Sequence, residues 1–325
     1  MFRAAFAFAL VLAAAPAGAG ELDLTKDQDV VGQVQVIKAR YEDTFVALGR
    51  QYGLGYEELR SANPGVDPWL PGEGTEIVLP TQYVLPRAPH TGIVVNVAEL
   101  RLYYFPADEP GKVITHPISI GALDWSTPIG VTTVTGRVKN PAWYPPDSIR
   151  AEHAANNDPL PKVVPPGPDN PLGKFALRLG LPGYLIHGTN KPSGVGMRVT
   201  HGCIRLFPED IEAMYKTVPI GTQVRIVNQP YKLGWGADGS LYLEAHAPLS
   251  EDVDAGHWTM TDLTREFVAV TEDRYVEVSW DSAETVLHEA TGVPVRISGP
   301  AVPRQETEPG QTPAETTTAA LATVQ

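Results

Sequence analysis

Between residues 92 and 227 the chain runs in short stretches of β-branched and aromatic residues, each closed by a turn-forming cluster, and that rhythm favours strands over helices. Ile93-Val94-Val95-Asn96-Val97 and Leu100-Arg101-Leu102-Tyr103-Tyr104-Phe105 flank Ala98-Glu99 and read as a hairpin. Ser119-Ile120-Gly121 and Thr127-Pro128-Ile129-Gly130 punctuate the next strands, and Val131-Thr132-Thr133-Val134-Thr135 follows. Tyr184-Leu185-Ile186 is a short apolar strand, and Gln223-Val224-Arg225-Ile226-Val227 closes the unit. One helix start interrupts the series: Pro208-Glu209-Asp210, then Ile211, Met214 and Tyr215 at i, i+3 and i+4.

Inside this unit lies the chain's single cysteine, Cys203. A thiol with a free pKa of ~8.5 is mostly protonated at neutral pH, so a cysteine nucleophile needs a base or positive charge beside it. His187 ends the apolar strand, a rigid place to fix an imidazole. His201 is two residues from the sulfur and in an extended segment shares its face. Gly202 undermines that second geometry. A left-handed glycine breaks the alternation, turns His201 away, and lets the N–H groups of Gly202 and Cys203 converge as an oxyanion hole. His187 is therefore the expected base, with Arg205 adding fixed positive charge. His187, His201 and Cys203 are also ligand types of a zinc site, although no second cysteine and no His-x-x-x-His spacing accompany them.

Ile186-His187-Gly188-Thr189, a glycine-containing spacer, and Thr200-His201-Gly202-Cys203-Ile204-Arg205-Leu206 resemble the signature of L,D-transpeptidases, cysteine enzymes of bacterial cell-wall cross-linking. The 16-residue interval from His187 to Cys203 fits that pattern. Arg205, where some branches carry asparagine, is similar to the Gram-negative branch whose members anchor an outer-membrane lipoprotein to peptidoglycan. The resemblance covers roughly residues 90 to 228 and implies a mainly β catalytic domain, a sheet-rich sandwich or barrel with few helices. It implies that Cys203 attacks a peptidoglycan tetrapeptide stem at its third residue, releases D-alanine, and passes the acyl group to an amine. It further implies that the Gly188 carbonyl orients His187 and that neither metal nor cofactor is needed. Arg205 either binds a substrate carboxylate or supports the loop. The acceptor stays open among a lipoprotein lysine, a second stem peptide and a free D-amino acid. A hydrolase on the same scaffold and a non-catalytic peptidoglycan-binding protein are the alternatives.

Met1 to Ala19 carries Arg3, the apolar run Ala4 to Ala15, and Pro16-Ala17-Gly18-Ala19. These are the parts of a secretory signal peptide cut after Ala19, which places the mature chain in the periplasm. The formal net charge of −13 argues against nucleic acid as a partner. One cysteine cannot form an intramolecular disulfide, and a free thiol in an exported chain favours a chemical role.

Residues 33–80 read as a strand, two helices and a strand around the turn cluster Asn63-Pro64-Gly65. This α+β (βααβ) arrangement resembles a lysin motif, which implies binding of peptidoglycan glycan. Thr81 to Pro89 reads as a linker, so removal of the module is expected to weaken wall binding without touching the chemistry. Residues 140–173 are proline-rich and read as a structureless lid or substrate wall. There Trp143 and Tyr144 join Arg205 and His201 as candidate substrate contacts, and His153 reads as a solvated loop residue. Residues 229–298 form a C-terminal extension with helical patterns at 260–270 and 281–291, and 299–325 have the composition of a disordered tail.

Overall fold

The computed structural model describes residues 20–254 and 259–303. The expected leader and the tail from residue 304 onward lie outside the described residues. The helices are α1 (Phe45–Tyr52), α2 (Tyr56–Ala62), α3 (Asp147–Ala155), α4 (Pro208–Thr217), α5 (Ser250–Asp254), α6 (Met260–Val270) and α7 (Trp280–Glu289). None of them is long and apolar enough to cross a membrane.

A nine-stranded sheet organises the fold, in the order Gly20–Asp23, Lys112–Pro117, Arg101–Phe105, Gly92–Asn96, Gln223–Val227, Gly130–Lys139, Phe175–Leu179, Leu185–His187, Ile204–Arg205. The expected hairpin forms, with Val95 opposite Leu102. Gln223–Val227 lies parallel to Gly92–Asn96 and antiparallel to Gly130–Lys139, so the chain's last strand of this unit sits inside the sheet. The two hairpin strands are almost entirely buried, because the sheet is covered on both faces. Ile93, Val95, Leu102, Leu177 and Ile186 pack with Ile211 and Met214 of α4. On the other face Val94, Tyr103 and Phe105 meet Val31, Tyr83 and Leu85.

Near the N-terminus, Gln35–Lys38 pairs antiparallel with Glu76–Leu79, and α1 and α2 lie between them in sequence. Phe45, Leu48, Leu54, Leu59, Ile77 and Leu79 form a separate small core. The Thr44 hydroxyl caps α1 by accepting from Ala47 N at 3.1 Å. The Asn63 amide ties α2 to the returning strand: it donates to Leu59 O and Val78 O and accepts from Val78 N, at 2.8, 2.9 and 2.7 Å.

Three segments differ from the sequence reading. Thr81 to Pro89 is not a free linker: Gln82–Val84 pairs with Val30–Gly32, and Val84 N donates to the Glu244 carboxylate. The proline-rich 140–173 segment contains α3, started by Pro146 and Asp147 and anchored by buried Ile149, and Trp143 and Val164 exchange backbone hydrogen bonds. Its prolines mark the flanks of the helix and obscure the helix-forming Arg-Ala-Glu-His-Ala-Ala within. Past Gly299, Val302–Pro303 still pairs with Arg274–Tyr275.

The C-terminal unit is a three-stranded sheet, Tyr231–Trp235, Ser240–Ala245 and Val295–Pro300, with α6 and α7 on a core of Trp235, Leu241, Leu243, Leu263 and Val286. It joins the main sheet through a buried ionic junction. Lys232 Nζ lies between the carboxylates of Glu99 and Glu244, and Tyr103 donates to Glu99 at 2.9 Å.

Candidate active site

Leu185–His187 pairs antiparallel with Phe175–Leu179 and parallel with Ile204–Arg205, in a register that sets His187 directly opposite Arg205. Residues opposite each other on neighbouring strands share a face, so imidazole and guanidinium project from the same side of the sheet. The His187 backbone is held on both sides: Gly188 N donates to Phe175 O at 3.1 Å and Leu206 N to His187 O at 2.9 Å. His187 Nδ1 lies 2.6 Å from Gly188 O. A carbonyl only accepts, so Nδ1 carries the hydrogen and Nε2 of the neutral ring is free to take a proton. Burial, then the Arg205 charge, pull the His187 pKa from 6.5 down to about 4, against the Gly188 hydrogen bond.

Cys203 follows Gly202, whose φ of 96° is the left-handed geometry expected there. A Cβ at Gly202 would also lie 2.9 Å from Tyr184 Cε1. Thr127 Oγ1 fixes this turn, donating to Gly202 O at 2.9 Å and accepting from Gly121 N at 3.1 Å. Thr200 Oγ1 donates to Cys203 O at 2.6 Å. Burial pushes the Cys203 thiol up, opposed by the Leu185 backbone and the Arg205 charge. Both displacements favour the uncharged forms of the thiol and the imidazole. An uncharged thiol and imidazole in one cleft suit general-base transfer of the thiol proton during attack.

Burial lowers the Arg205 pKa, and its Nε is buried without a hydrogen-bond partner. No carboxylate among the described residues pairs with it. A half-buried guanidinium with free donors is suited to an anionic ligand group. His201 is engaged elsewhere: its Nε2 lies 3.0 Å from Glu152 Oε2 of α3, and the Trp125 ring meets it edge-on at 4.9 Å. The zinc alternative of His187, His201 and Cys203 does not assemble. The one metal-type group among the described residues is Glu99, Glu244 and His246, where the Lys232 ammonium already supplies the positive charge.

A cleft of ≈ 900 Å³ gathers the sequence-derived candidates: Trp143, Tyr144, His187, His201, Cys203 and Arg205 all line it. Lys191, Tyr184 and His153 line it too, the last with Nδ1 3.0 Å from Asp158. Glu152, Thr127 and Tyr184 were not read as site residues from the sequence. Only the Thr-Pro-Ile-Gly turn and the position of Tyr184 beside the His187 strand hinted at the last two.

Residues 90–226 match the YkuD family model, the L,D-transpeptidase catalytic domain. Over 305 residues the chain is 41% identical to the probable L,D-transpeptidase YbiS of Escherichia coli, covering 90% of this chain and 97% of that protein. The chain belongs to the L,D-transpeptidase family. Two further E. coli relatives of this transpeptidase are the probable L,D-transpeptidases YcfS and ErfK/SrfK. YcfS is 48% identical over 214 residues, 64% of this chain and 66% of that protein. ErfK/SrfK is 42% identical over 260 residues, 79% of this chain and 82% of that protein. The family acts on peptidoglycan stem peptides, and the matched span contains both His187 and Cys203.

Proposed function

We propose that this transpeptidase transfers the acyl group of a peptidoglycan tetrapeptide stem from Cys203 to an amine. The observation that carries the reading is the 2.6 Å contact of His187 Nδ1 with Gly188 O, in a cleft that also holds Cys203 and Arg205. That contact leaves Nε2 as the base. As the thiol proton moves to His187, sulfur bonds to the carbonyl of the third stem residue. The N–H groups of Gly202 and Cys203 receive the oxyanion. The bond to D-alanine breaks, and His187 returns the proton to the departing amine. An acceptor amine then attacks the thioester, loses its proton to His187, and restores the thiol. One amide replaces another, so the exchange needs no external energy source.

Arg205 binds a stem carboxylate in this reading, and His201, Trp143 and the 69% exposed Tyr144 border the peptide path. The N-terminal unit is proposed to be lysin-like and to hold glycan. Its exposed Tyr41, Trp69 and Leu70 support this, in loops joined by the Phe45 N to Pro68 O hydrogen bond of 2.8 Å. The leader, periplasmic site and lipoprotein-lysine acceptor belong to the same proposal, supported by Met1 to Ala19 and by Arg205 in the motif.

Incubation with a carbapenem followed by intact-mass measurement tests the nucleophile: one adduct on the wild type and none on Cys203→Ala is expected. An identical adduct on Cys203→Ala refutes the assignment. Mass spectrometry of muropeptides formed with and without added amine identifies the acceptor. Product formed equally without any amine makes the enzyme a hydrolase.

A further inference from the structure

The segment joining His187 to Cys203 does not lie free. On one side it runs along residues 119–122: Ser119 Oγ donates to Gly194 O at 2.7 Å, Ile120 N to Met197 O at 3.3 Å, and Ala122 N to Thr200 O at 2.9 Å. Ser119 also exchanges both backbone hydrogen bonds with Arg205, at 2.8 and 3.0 Å. On its other side the segment meets the first turn of α2. Tyr56 N donates to Val195 O at 3.4 Å and Glu57 N to Gly196 O at 3.2 Å.

This approach depends on two glycines facing each other. A Cβ at Gly55 would lie 2.8 Å from Gly196 Cα and 3.6 Å from Pro117 Cβ. Gly196, at φ 85°, has no room for a Cβ either. Beneath them a buried ion pair locks the two units. Glu58 accepts from Arg101 Nε at 2.7 Å and Nη2 at 2.8 Å, with side chains 7% and 1% exposed. Arg101 Nη2 also donates to Gly53 O at 3.0 Å, and Glu58 accepts from Gly55 N. An exposed Arg50–Glu209 pair adds a second attachment, from α1 to α4.

We propose that the N-terminal unit is a positioning part of the active site: Gly55, Tyr56 and Glu57 clamp Val195–Gly196 and so fix the segment that carries Arg205 and Cys203. The path is short. Val195 and Gly196 adjoin Gly194, which is bonded to Ser119, which pairs with Arg205, the residue opposite His187. Gly55 and Glu58 touch neither substrate nor sulfur and act through the loop. The inference rests on Cys203 being the acylated nucleophile.

The effect belongs on the chemical step, because a small misplacement of reacting groups costs on the order of 10²-fold in rate while the cleft walls stay in place. The full-length chain is used, with carbapenem acylation of Cys203 followed by intact mass over a range of concentrations. Gly55 has an ordinary backbone geometry, φ −81°, so Gly55→Ala is a wedge without backbone strain. It is expected to lower the saturating acylation rate about tenfold or more, with the half-saturating concentration nearly unchanged. Gly74→Ala is the control for general loosening of the unit: its φ of 82° imposes strain, but the new Cβ meets nothing within 4 Å. It is expected to melt earlier yet acylate at the wild-type rate.

Glu58→Gln, which keeps an acceptor for Arg101 and removes the charge, is read in the same way if Gly55→Ala does not fold. Glu58→Asp, retaining the charge, is expected to recover part of that loss. A folded Gly55→Ala or Glu58→Gln that acylates within twofold of wild type overturns the inference. So does a Gly74→Ala as slow as Gly55→Ala. A wild type that takes no adduct on Cys203 instead sinks the underlying reading of the nucleophile.

Discussion

Lowering the pH from 7.5 to 4.5 is expected to expose how deeply His187 is committed to its neutral form. Its pKa is carried from 6.5 to about 4, first by burial and then by Arg205. At ~1.4 kcal/mol per pH unit that displacement is worth roughly 3 kcal/mol. The sign follows from proton uptake. Below pH 6.5 the unfolded chain binds a proton at this ring while the folded chain refuses it until about pH 4. Its contribution to stability is therefore complete above 6.5 and is lost progressively as pH falls towards 4. Urea unfolding of wild type and His187→Gln, followed by tryptophan fluorescence at matched pH values, isolates this group, because the other titrations cancel in the difference. Between pH 7.5 and 4.5 the wild type is expected to lose roughly 2–3 kcal/mol more than the variant. Acylation of Cys203 is expected to keep its base down to the same range, with its acid limb near pH 4 in place of 6.5. A stability difference that does not change with pH, or an acid limb between 6 and 7, refutes the argument.

Three further outcomes follow from the site. His187→Ala is expected to slow single-turnover acylation by on the order of 10²-fold or more, and His201→Ala by much less, since His201 is held by Glu152 and Trp125; a larger loss in a well-folded His201→Ala reverses the assignment of the base. Gly202→Ala is expected to lower stability by about 1–2 kcal/mol in thermal melts and to slow acylation, because φ 96° and the Tyr184 ring both oppose a Cβ; an unchanged variant removes the case for a strained oxyanion turn. Arg205→Met is expected to raise the half-saturating concentration of a stem-peptide donor by tenfold or more, the scale of a lost charged hydrogen bond; an unchanged value assigns Arg205 to the loop alone.

What the sequence makes legible here is what each segment carries within itself. The Leu185–His187 strand has an apolar run, Gly202 announces a turn, and the proposed base and nucleophile sit at their ends. The 92–105 hairpin is readable for the same reason. Arg205 opposite His187 is different: it follows from a parallel register between strands separated in sequence, and no local pattern fixes that register. The hold of α3 on His201 depends on one carboxylate, Glu152, inside a segment whose prolines dominate its composition. Gln82–Val84 looks like a linker until Val30–Gly32 lies beside it, because pairing supplies what composition does not.

The same limit governs the expectation that the N-terminal unit is merely tethered. The proposed clamp rests on two glycines far apart in sequence and on the buried Glu58–Arg101 pair, and each is unremarkable alone. Truncation and substitution then act differently. Glu58→Ala in the intact chain leaves Arg101 buried without its countercharge, a situation that costs roughly 3–5 kcal/mol. Deleting residues 33–80 removes Gly53 and Glu58 together and opens that side of Arg101 to water, which lowers the cost, while the Tyr83 ring at 4.4 Å and Thr115 still hold the guanidinium. What the truncated chain loses is the clamp on Val195–Gly196 and the burial of Val195, now 2% exposed. The segment between His187 and Cys203 is then held from the 119–122 side and by the Arg198–Glu251 ion pair to α5, at 2.7 and 3.0 Å. A chain lacking 33–80 is therefore expected to bind insoluble peptidoglycan less and also to acylate Cys203 more slowly, whereas a tethered module affects binding only. Acylation by a small carbapenem, which needs no glycan contact, separates the two: a truncated chain that folds cooperatively and acylates at the wild-type rate restores the tether.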